Sequence, residues 1–538
     1  MNTTVRELPV HFDEQCNPFW KTRLSAPDNS YALIKMVPDR IIPVIFVPGV
    51  MGSNLSGTGS SKGVSWLLDS ESTVLGWTIK GPEYRKQHLT PANMEVLGVG
   101  KIDPGQTGIP VEELKRRGWG EVGYLSYGKF LPWLEEALND FQNPAEGMRA
   151  ALRKDTLQAL MGEAPLSDAE LGLSYKYRFP VYACGYNWLD SNVKASERLG
   201  LLIEAVIQRY KKQKLKCEKV IVVTHSMGGL VARHCSQVGK RHPLIFGVVH
   251  GVMPVNGAAA VYRRFKSGAE NFGTGFVGGI KGGIGGQVLG GNAAEMTAVL
   301  SSAPGPLQLL PTPEYGNGWL KIKDSSIEHS LPKNGDPYGE IYAVPDKWWS
   351  MAEKHLINPL NTEVDPKKRQ AQMEADWKAF ANLVGEAVKP FHDFIKGQYH
   401  PNTHAFIGNG DAVNSVGNVH WQRLGTGRAP TDTLNARPVN PTEINESRST
   451  MAKLLNGEAE LARQFRLGGP DETGDGTVPA RSGLAARPHC KSFLQASVEH
   501  EPAYKHGEGP EFLRACRFTL RAIVKIAQEV QTTSLKYD

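Results

Sequence analysis

The sequence predicts an α/β fold: a doubly wound, mostly parallel sheet with helices on both faces and a large inserted cap. Two observations carry the sheet. Six short apolar runs, rich in β-branched residues, are spread along the chain at 41–47, 179–184, 220–223, 244–250, 403–407 and 492–496. Unbroken runs of this length suit parallel strands covered on both sides, not strands that alternate between core and water. Helical patterns lie between them. Phe130, Leu134, Ala137, Leu138 and Phe141 share one face, as do Leu513, Cys516, Leu520, Ile523 and Ala527. Strands alternating with amphipathic helices bury both kinds of apolar surface only as a layered α/β arrangement.

The cap follows from three stretches that a minimal sheet does not need. Residues 53–118 are rich in Gly, Ser and Pro and read as a long insertion. Residues 258–400 form a second and larger one. Residues 425–470 are polar, with prolines, and read as loop plus a short helix. The expected organisation is a first part of the core over 1–257, a cap or lid over 258–400, and the rest of the core over 401–538. Within the cap, half of 272–291 is glycine, while Trp377, Phe380, Val384, Ala387, Val388 and Phe391 keep helical spacing. Gly273, Gly275 and Gly278 match Gly-x-Gly-x-x-Gly, but no strand precedes them and no acidic ribose partner follows, so a dinucleotide site is excluded. The glycine-dense stretch reads as a flexible apolar loop, or as a movable lid or membrane-contacting hairpin.

Composition narrows the function classes. The 538 residues are 40% hydrophobic and 22% charged, ordinary for a soluble globular protein. With 61 basic and 55 acidic residues the charge is +6, too mild over this length to call for nucleic acid, though compatible with an anionic membrane surface. Six cysteines, at 16, 184, 217, 235, 490 and 516, form no Cys-x-x-Cys pair and no zinc spacing. No metal or other cofactor is expected, and Cys184, Cys217 and Cys235 are predicted to be small buried residues. The N-terminus lacks a basic segment followed by an apolar one, and no run of 18 apolar residues occurs. The expectation is a chain made in the cytoplasm without a standard leader and without a transmembrane span.

The chemistry is signalled at 221–229, Ile-Val-Val-Thr-His-Ser-Met-Gly-Gly, where a β-branched run stops at a serine and small residues follow. This is the layout of a nucleophile elbow, which lifts the Ser226 hydroxyl out of the core on a sharp strand-to-helix turn. One position departs from Gly-x-Ser-x-Gly: the first is Thr224, larger than the crowded turn favours. An ester hydrolase also needs amide hydrogens aimed at the developing oxyanion. The helix beginning near Met227 offers one. The loop after an early strand, Val47-Pro48-Gly49-Val50-Met51-Gly52, offers the second at Val50, with Met51 its neighbour.

The acid is expected on a loop far downstream, where Gly474-Asp475-Gly476 sets one carboxylate between two glycines. Asp471 and Glu472 beside it read as a solvated loop edge. The base is a histidine after the acid. His500, which follows an apolar run, is favoured over His489 and His506. His225 is turned away by its elbow position and is expected to pack. The order Ser226, Asp475, His500 is the order of a strand-elbow hydrolase triad.

With these residues in place the chain resembles the lipase branch of α/β-hydrolases, which contains lecithin:cholesterol acyltransferase-like enzymes and the PGAP1-like inositol deacylases. The resemblance rests on Phe46-Val47-Pro48-Gly49-Val50-Met51-Gly52-Ser53-Asn54-Leu55, Tyr186-Asn187-Trp188, Thr224-His225-Ser226-Met227-Gly228-Gly229, Pro254-Val255-Asn256-Gly257, Gly305-Pro306-Leu307-Gln308-Leu309-Leu310-Pro311 and Asp475-Gly476-Thr477-Val478-Pro479. The chain is also similar to antibacterial phospholipase effectors of type VI secretion. That similarity implies a membrane phospholipid substrate, delivery by a secretion spike protein into a target periplasm, and a cognate immunity protein. The motifs are specific for fold and triad, less so for substrate. An acyltransferase, a small-ester hydrolase on the same triad, or a binding protein that keeps the fold without the chemistry are the alternatives.

Overall fold

The computed structural model describes residues 4–8, 10–13, 17–21, 29–34, 36–140, 146–154, 165–269, 289–430, 432–439, 446–454, 459–504 and 510–537. The six apolar runs all become strands of one sheet. They are β1 (Val44–Val47), β2 (Val181–Ala183), β3 (Val220–His225), β4 (Ile245–Gly251), β5 (Thr403–Gly408) and β6 (Cys490–Ala496). Their order across the sheet is β6-β5-β4-β3-β1-β2, and every neighbouring pair is parallel.

The alternation of side chains explains why the central runs are apolar at successive positions. Ile45, Val47, Val220 and Val222 enter one core, while Val44, Phe46, Ile221 and Val223 enter the other. The first core is covered by the helix Asn192–Lys212, which buries Leu199, Ile203, Val206 and Tyr210 at helical spacing and is capped by the Ser191 side chain. The second is covered by the helices Phe130–Leu138 and Pro510–Ala527, which bury Phe130, Leu134, Leu520 and Ile523.

From β1 the chain steps outward to β2 on one side. From β3 it runs through β4 and β5 to β6 on the other. The order reverses between β1 and β3, and in an open parallel sheet the crevice beyond the strand ends at such a reversal is where ligands bind.

A second six-stranded sheet corrects the reading of 425–470 as loop plus short helix. Its order is Ile327–Leu331, Leu320–Asp324, Val419–Leu424, Glu460–Leu467, Ser447–Lys453 and Arg437–Pro438. The strands escape a hydropathy reading because their buried positions are partly charged. Arg448, Thr450 and Ala452 alternate inward on one, and Arg463, Phe465 and Leu467 on its neighbour. Each buried arginine has a carboxylate: Arg463 meets Asp324, which also takes Arg423 at 3.1 Å, and Arg448 meets Glu353 at 2.6 Å.

The helical spacing over 377–391 corresponds to the helix Pro366–Leu383, continued through a wider turn into Lys389–Ile395, with Phe380, Val384, Val388 and Phe391 buried. The glycine-dense stretch lies almost wholly outside the described residues. Cys184, Cys217 and Cys235 are buried free thiols. Among the described residues no helix is long and apolar enough to cross a membrane, and no cluster of His, Cys, Asp and Glu could hold a metal ion.

Candidate active site

The elbow is built from the end of β3. Ser226 has φ +51°, in the left-handed region that a residue with a Cβ rarely adopts, and its N–H donates to the Gly251 carbonyl of β4 at 2.9 Å. The helix Gly228–Arg233 starts directly after the serine. A Cβ on Gly228 would stand 2.5 Å from the carbonyl oxygens of Val47 and Pro48, so only glycine lets the helix lie against the end of β1. The bulkier Thr224 is accommodated by pairing: its hydroxyl lies 2.9 Å from Nδ1 of His250 on β4. Burial holds His250 neutral, with a pKa lowered to about 3.

Ser226, His500 and Asp475 form one hydrogen-bonded chain. His500 Nε2 lies 2.8 Å from Ser226 Oγ, and His500 Nδ1 lies 2.8 Å from Asp475 Oδ2. The carboxylate is buried, and its other oxygen accepts the Thr477 and Val478 amides at 3.0 and 2.7 Å. Asp475 also binds the backbone of its partner, since the His500 N–H donates to the Asp475 carbonyl at 2.8 Å. An ionised carboxylate only accepts, so Nδ1 of His500 carries the hydrogen and Nε2 is left to accept from the serine hydroxyl.

The loop after β1 comes to the same point. A Cβ on Gly49 would stand 2.8 Å from His225 Nδ1 and 3.0 Å from Ser226 Cβ, which shows how closely this backbone passes the elbow. Among the described residues, neither the Val50 nor the Met227 amide donates to a backbone acceptor in the surrounding turns. The loop is fixed from behind. Tyr186 donates to the Pro48 carbonyl at 2.8 Å, Trp66 donates to the Met51 carbonyl at 3.1 Å, and Asn54 accepts the Leu68 amide at 3.1 Å. Two family-like motifs, Tyr186-Asn187-Trp188 and the Pro48–Asn54 loop, are thus partners in space.

His225 is more than a packed ring. Its Nε2 lies 2.8 Å from the His500 carbonyl, which can only accept, so Nε2 carries the hydrogen. Nδ1 therefore accepts from the Tyr127 hydroxyl at 2.8 Å, and the Tyr127 oxygen accepts the Gly49 amide at 3.1 Å. Burial lowers the His225 pKa to about 3 and raises that of Tyr127, so neither changes charge near neutrality. This second chain, Gly49 to Tyr127 to His225 to His500, ties the loop after β1 to the backbone of the histidine. No sequence signal marked Tyr127, which stands in an unremarkable short helical turn.

The remaining candidates lie elsewhere. His489 stacks on Tyr399 with ring centroids 4.2 Å apart, away from the serine. His506 falls outside the described residues. Asp471 accepts from Gly417, Asn418 and His420, which lower its pKa to about 2, and Glu472 pairs with Arg481.

Ser226 and His500 open into a cleft enclosing about 820 Å³, part of it open to solvent. Its walls include Val50, Leu68, Ala258, Val261, Leu309 and Val478. The cleft is mostly apolar with a few convergent polar groups, as expected of a site for an organic ligand.

Comparison with known proteins agrees with this fold. A model of the PGAP1-like alpha/beta domain matches residues 193–265, the segment that carries the elbow. No curated protein matches the chain in sequence. Among solved structures, a chain from the crystal structure of the Tle4-Tli4 complex is 27% identical, with a TM-score of 0.71, over 90% of this chain and 98% of that one. The protein has the α/β-hydrolase fold, resembles the PGAP1-like group as its motifs predict, and is similar over nearly its whole length to the chain solved in the Tle4-Tli4 complex.

Proposed function

We propose that the protein is a serine-dependent lipid ester hydrolase, a phospholipase. The observation that carries this reading is the Ser226–His500–Asp475 chain at the floor of an apolar cleft, at the point where the strand order reverses. Ser226 Oγ attacks the ester carbonyl as His500 Nε2 takes its proton. Asp475 keeps the imidazole in the required tautomer and stabilises the imidazolium. The Val50 and Met227 amides, which have no internal backbone acceptor in the turns around them, hold the oxyanion. His500 then protonates the departing alcohol. Water, deprotonated by the same histidine, attacks the acyl-enzyme and releases the fatty acid.

The apolar walls support a substrate with an acyl chain. The likeness to a chain solved in the Tle4-Tli4 complex supports a dedicated protein partner for this chain too. In this reading the protein is an antibacterial effector carried by a type VI secretion spike protein, and its partner is a cognate immunity protein. Wild-type protein releases fatty acid from phospholipid vesicles and takes a fluorophosphonate label, and Ser226→Ala does neither, with a rate loss of about 10⁶-fold. Undiminished release by Ser226→Ala sinks the assignment. An ester product formed with an added alcohol reassigns the protein as an acyltransferase.

A further inference from the structure

The helix Ala260–Ser267, which follows the loop after β4, carries three cations: Arg263, Arg264 and Lys266. Two of them are structural. Arg263 donates to the Gly468 carbonyl at 2.8 Å and to Glu446 at 2.7 Å. Lys266 is buried against the Ser350 carbonyl at 2.6 Å and Glu353 at 2.5 Å. Arg264 differs. It lines the cleft with Ser226 and His500. Among the described residues its guanidinium meets no hydrogen-bond or ion-pair partner, and its Nε is shut off from solvent. Other arginines with a buried, unsatisfied nitrogen, such as Arg149, Arg233 and Arg463, bond through their remaining nitrogens.

A half-buried guanidinium in an apolar cleft with no counter-charge is costly unless a ligand supplies one. The carboxylate that also lines the cleft, Glu501, is solvent-exposed and forms no ion pair with Arg264. The planar fork of an arginine matches the paired oxygens of a phosphodiester. The cleft therefore offers a nucleophile for an ester, apolar walls for an acyl chain, and one unpaired cation. We propose that Arg264 is a specificity residue, which binds the phosphodiester of a glycerophospholipid while the acyl ester of the same molecule reaches Ser226. The inference rests on the reading of Ser226 as an ester nucleophile.

The test compares two soluble substrates with the same acyl chains, dihexanoyl-phosphatidylglycerol and dihexanoylglycerol. Arg264→Gln lowers the ratio of their kcat/KM values, phospholipid over diglyceride, by roughly 10- to 100-fold, the effect of losing a charge-assisted hydrogen bond. Arg264→Lys, which keeps the charge and loses the fork, gives an intermediate ratio. A ratio unchanged in both variants overturns the inference, as does an equal loss on both substrates. Binding provides a readout that needs no turnover. In a Ser226→Ala background a non-hydrolysable diether phosphatidylglycerol binds about tenfold or more weakly after Arg264→Gln, and equal binding counts against the role. Absence of turnover of either ester by wild-type protein, with phosphate binding still dependent on Arg264, defeats the hydrolase reading and leaves the phosphate site standing.

Discussion

Replacing Tyr127 by Phe tests whether the chain from Gly49 to His500 positions the reacting groups or only fills the core. The ring stays and only the hydroxyl goes, so the edge contacts of Tyr127 with Phe46 and His225 are retained. Two buried groups lose their partner: the Gly49 amide, at 3.1 Å, and His225 Nδ1, at 2.8 Å. Each unsatisfied buried group costs about 1–3 kcal/mol, so the native state loses about 2–6 kcal/mol. His225 cannot recover by exchanging tautomers, because moving its hydrogen to Nδ1 gives up the bond to the His500 carbonyl. The loop that carries Val50 then loses one of its ties, and the His225 ring that binds the His500 carbonyl is held from one side only. If about 1.4–2.8 kcal/mol of the loss falls on the transition state, kcat drops about 10- to 100-fold with KM little changed. The assay is steady-state hydrolysis of a short p-nitrophenyl ester, with the fluorophosphonate labelling rate of Ser226 and the melting temperature measured in parallel. A variant that melts lower yet keeps wild-type kcat and labelling rate refutes the positioning role and leaves Tyr127 as a stabilising residue alone.

Three further outcomes follow from the same contacts. Asp475→Asn lowers kcat about 10⁴-fold, because an amide nitrogen facing His500 Nδ1 favours the wrong tautomer, while circular dichroism and melting stay near wild type; a loss below tenfold contradicts the assignment of the acid. Thr224→Val keeps the shape but leaves His250 Nδ1 unpaired, so urea unfolding reports a loss of about 1–2 kcal/mol with kcat within a few-fold of wild type. Burial depresses His250 and His404 to about 3 and His392 to about 4, against an ordinary 6.5. From about pH 7.5 upward these histidines are almost wholly neutral, folded or unfolded, and contribute little slope. As pH falls from there toward 4, the unfolded chain takes up protons that the fold refuses, so stability falls, by roughly 2 kcal/mol per histidine at pH 5. Melting curves from pH 7.5 to 4.5 check this, and a melting temperature that holds or rises on acidification contradicts it.

The main sheet is legible in the sequence because its central strands are buried on both faces, and stretches such as Val44–Val47 and Val220–Val223 hold no polar residue. Runs such as Val220–Val223 have no second interpretation at that length. The elbow is legible for a related reason: Ser226 ends a β-branched run and Gly228 must follow it, since two carbonyl oxygens occupy the space a side chain would need. The acid loop shows itself through its two glycines. The second sheet is not legible. Its inward positions include Arg448 and Arg463, whose burial is tolerable only because Glu353 and Asp324 arrive from distant segments. A hydropathy pattern cannot register a charge that is neutralised from elsewhere in the chain. Tyr127 and Arg264 are hidden in the same way. In the proposed site one acts through two hydrogen bonds across the fold, the other through a guanidinium that meets no partner among the described residues, and neither condition leaves a mark on neighbouring residues.

The long excursion between β5 and the acid raises a mechanical problem: Asp475 has to be held to a fraction of an ångström at the far end of a polar sheet domain. The root of the excursion resolves it. Gly410–Ser415 leaves β5 and pairs antiparallel with Glu472–Gly474 on the return, so the chain is clamped where it re-enters. Ser415 Oγ then accepts the amides of Asp475 and Gly476 at 3.2 and 3.0 Å and donates to the Val478 carbonyl at 3.0 Å. One hydroxyl fixes the acid turn to the strand that leaves the core. Motion of the second sheet therefore reaches the carboxylate only after breaking a buried cluster of hydrogen bonds. The walls of the cleft are attached differently, because Val261 and Arg264 ride on a helix outside the sheet and Leu309 on a segment that follows it. In the proposed reaction, chemistry is anchored to strand ends and recognition to the inserted segments, so substitutions in the inserted segments are expected to change which ester is cleaved while leaving the spacing of Ser226, His500 and Asp475 as it is.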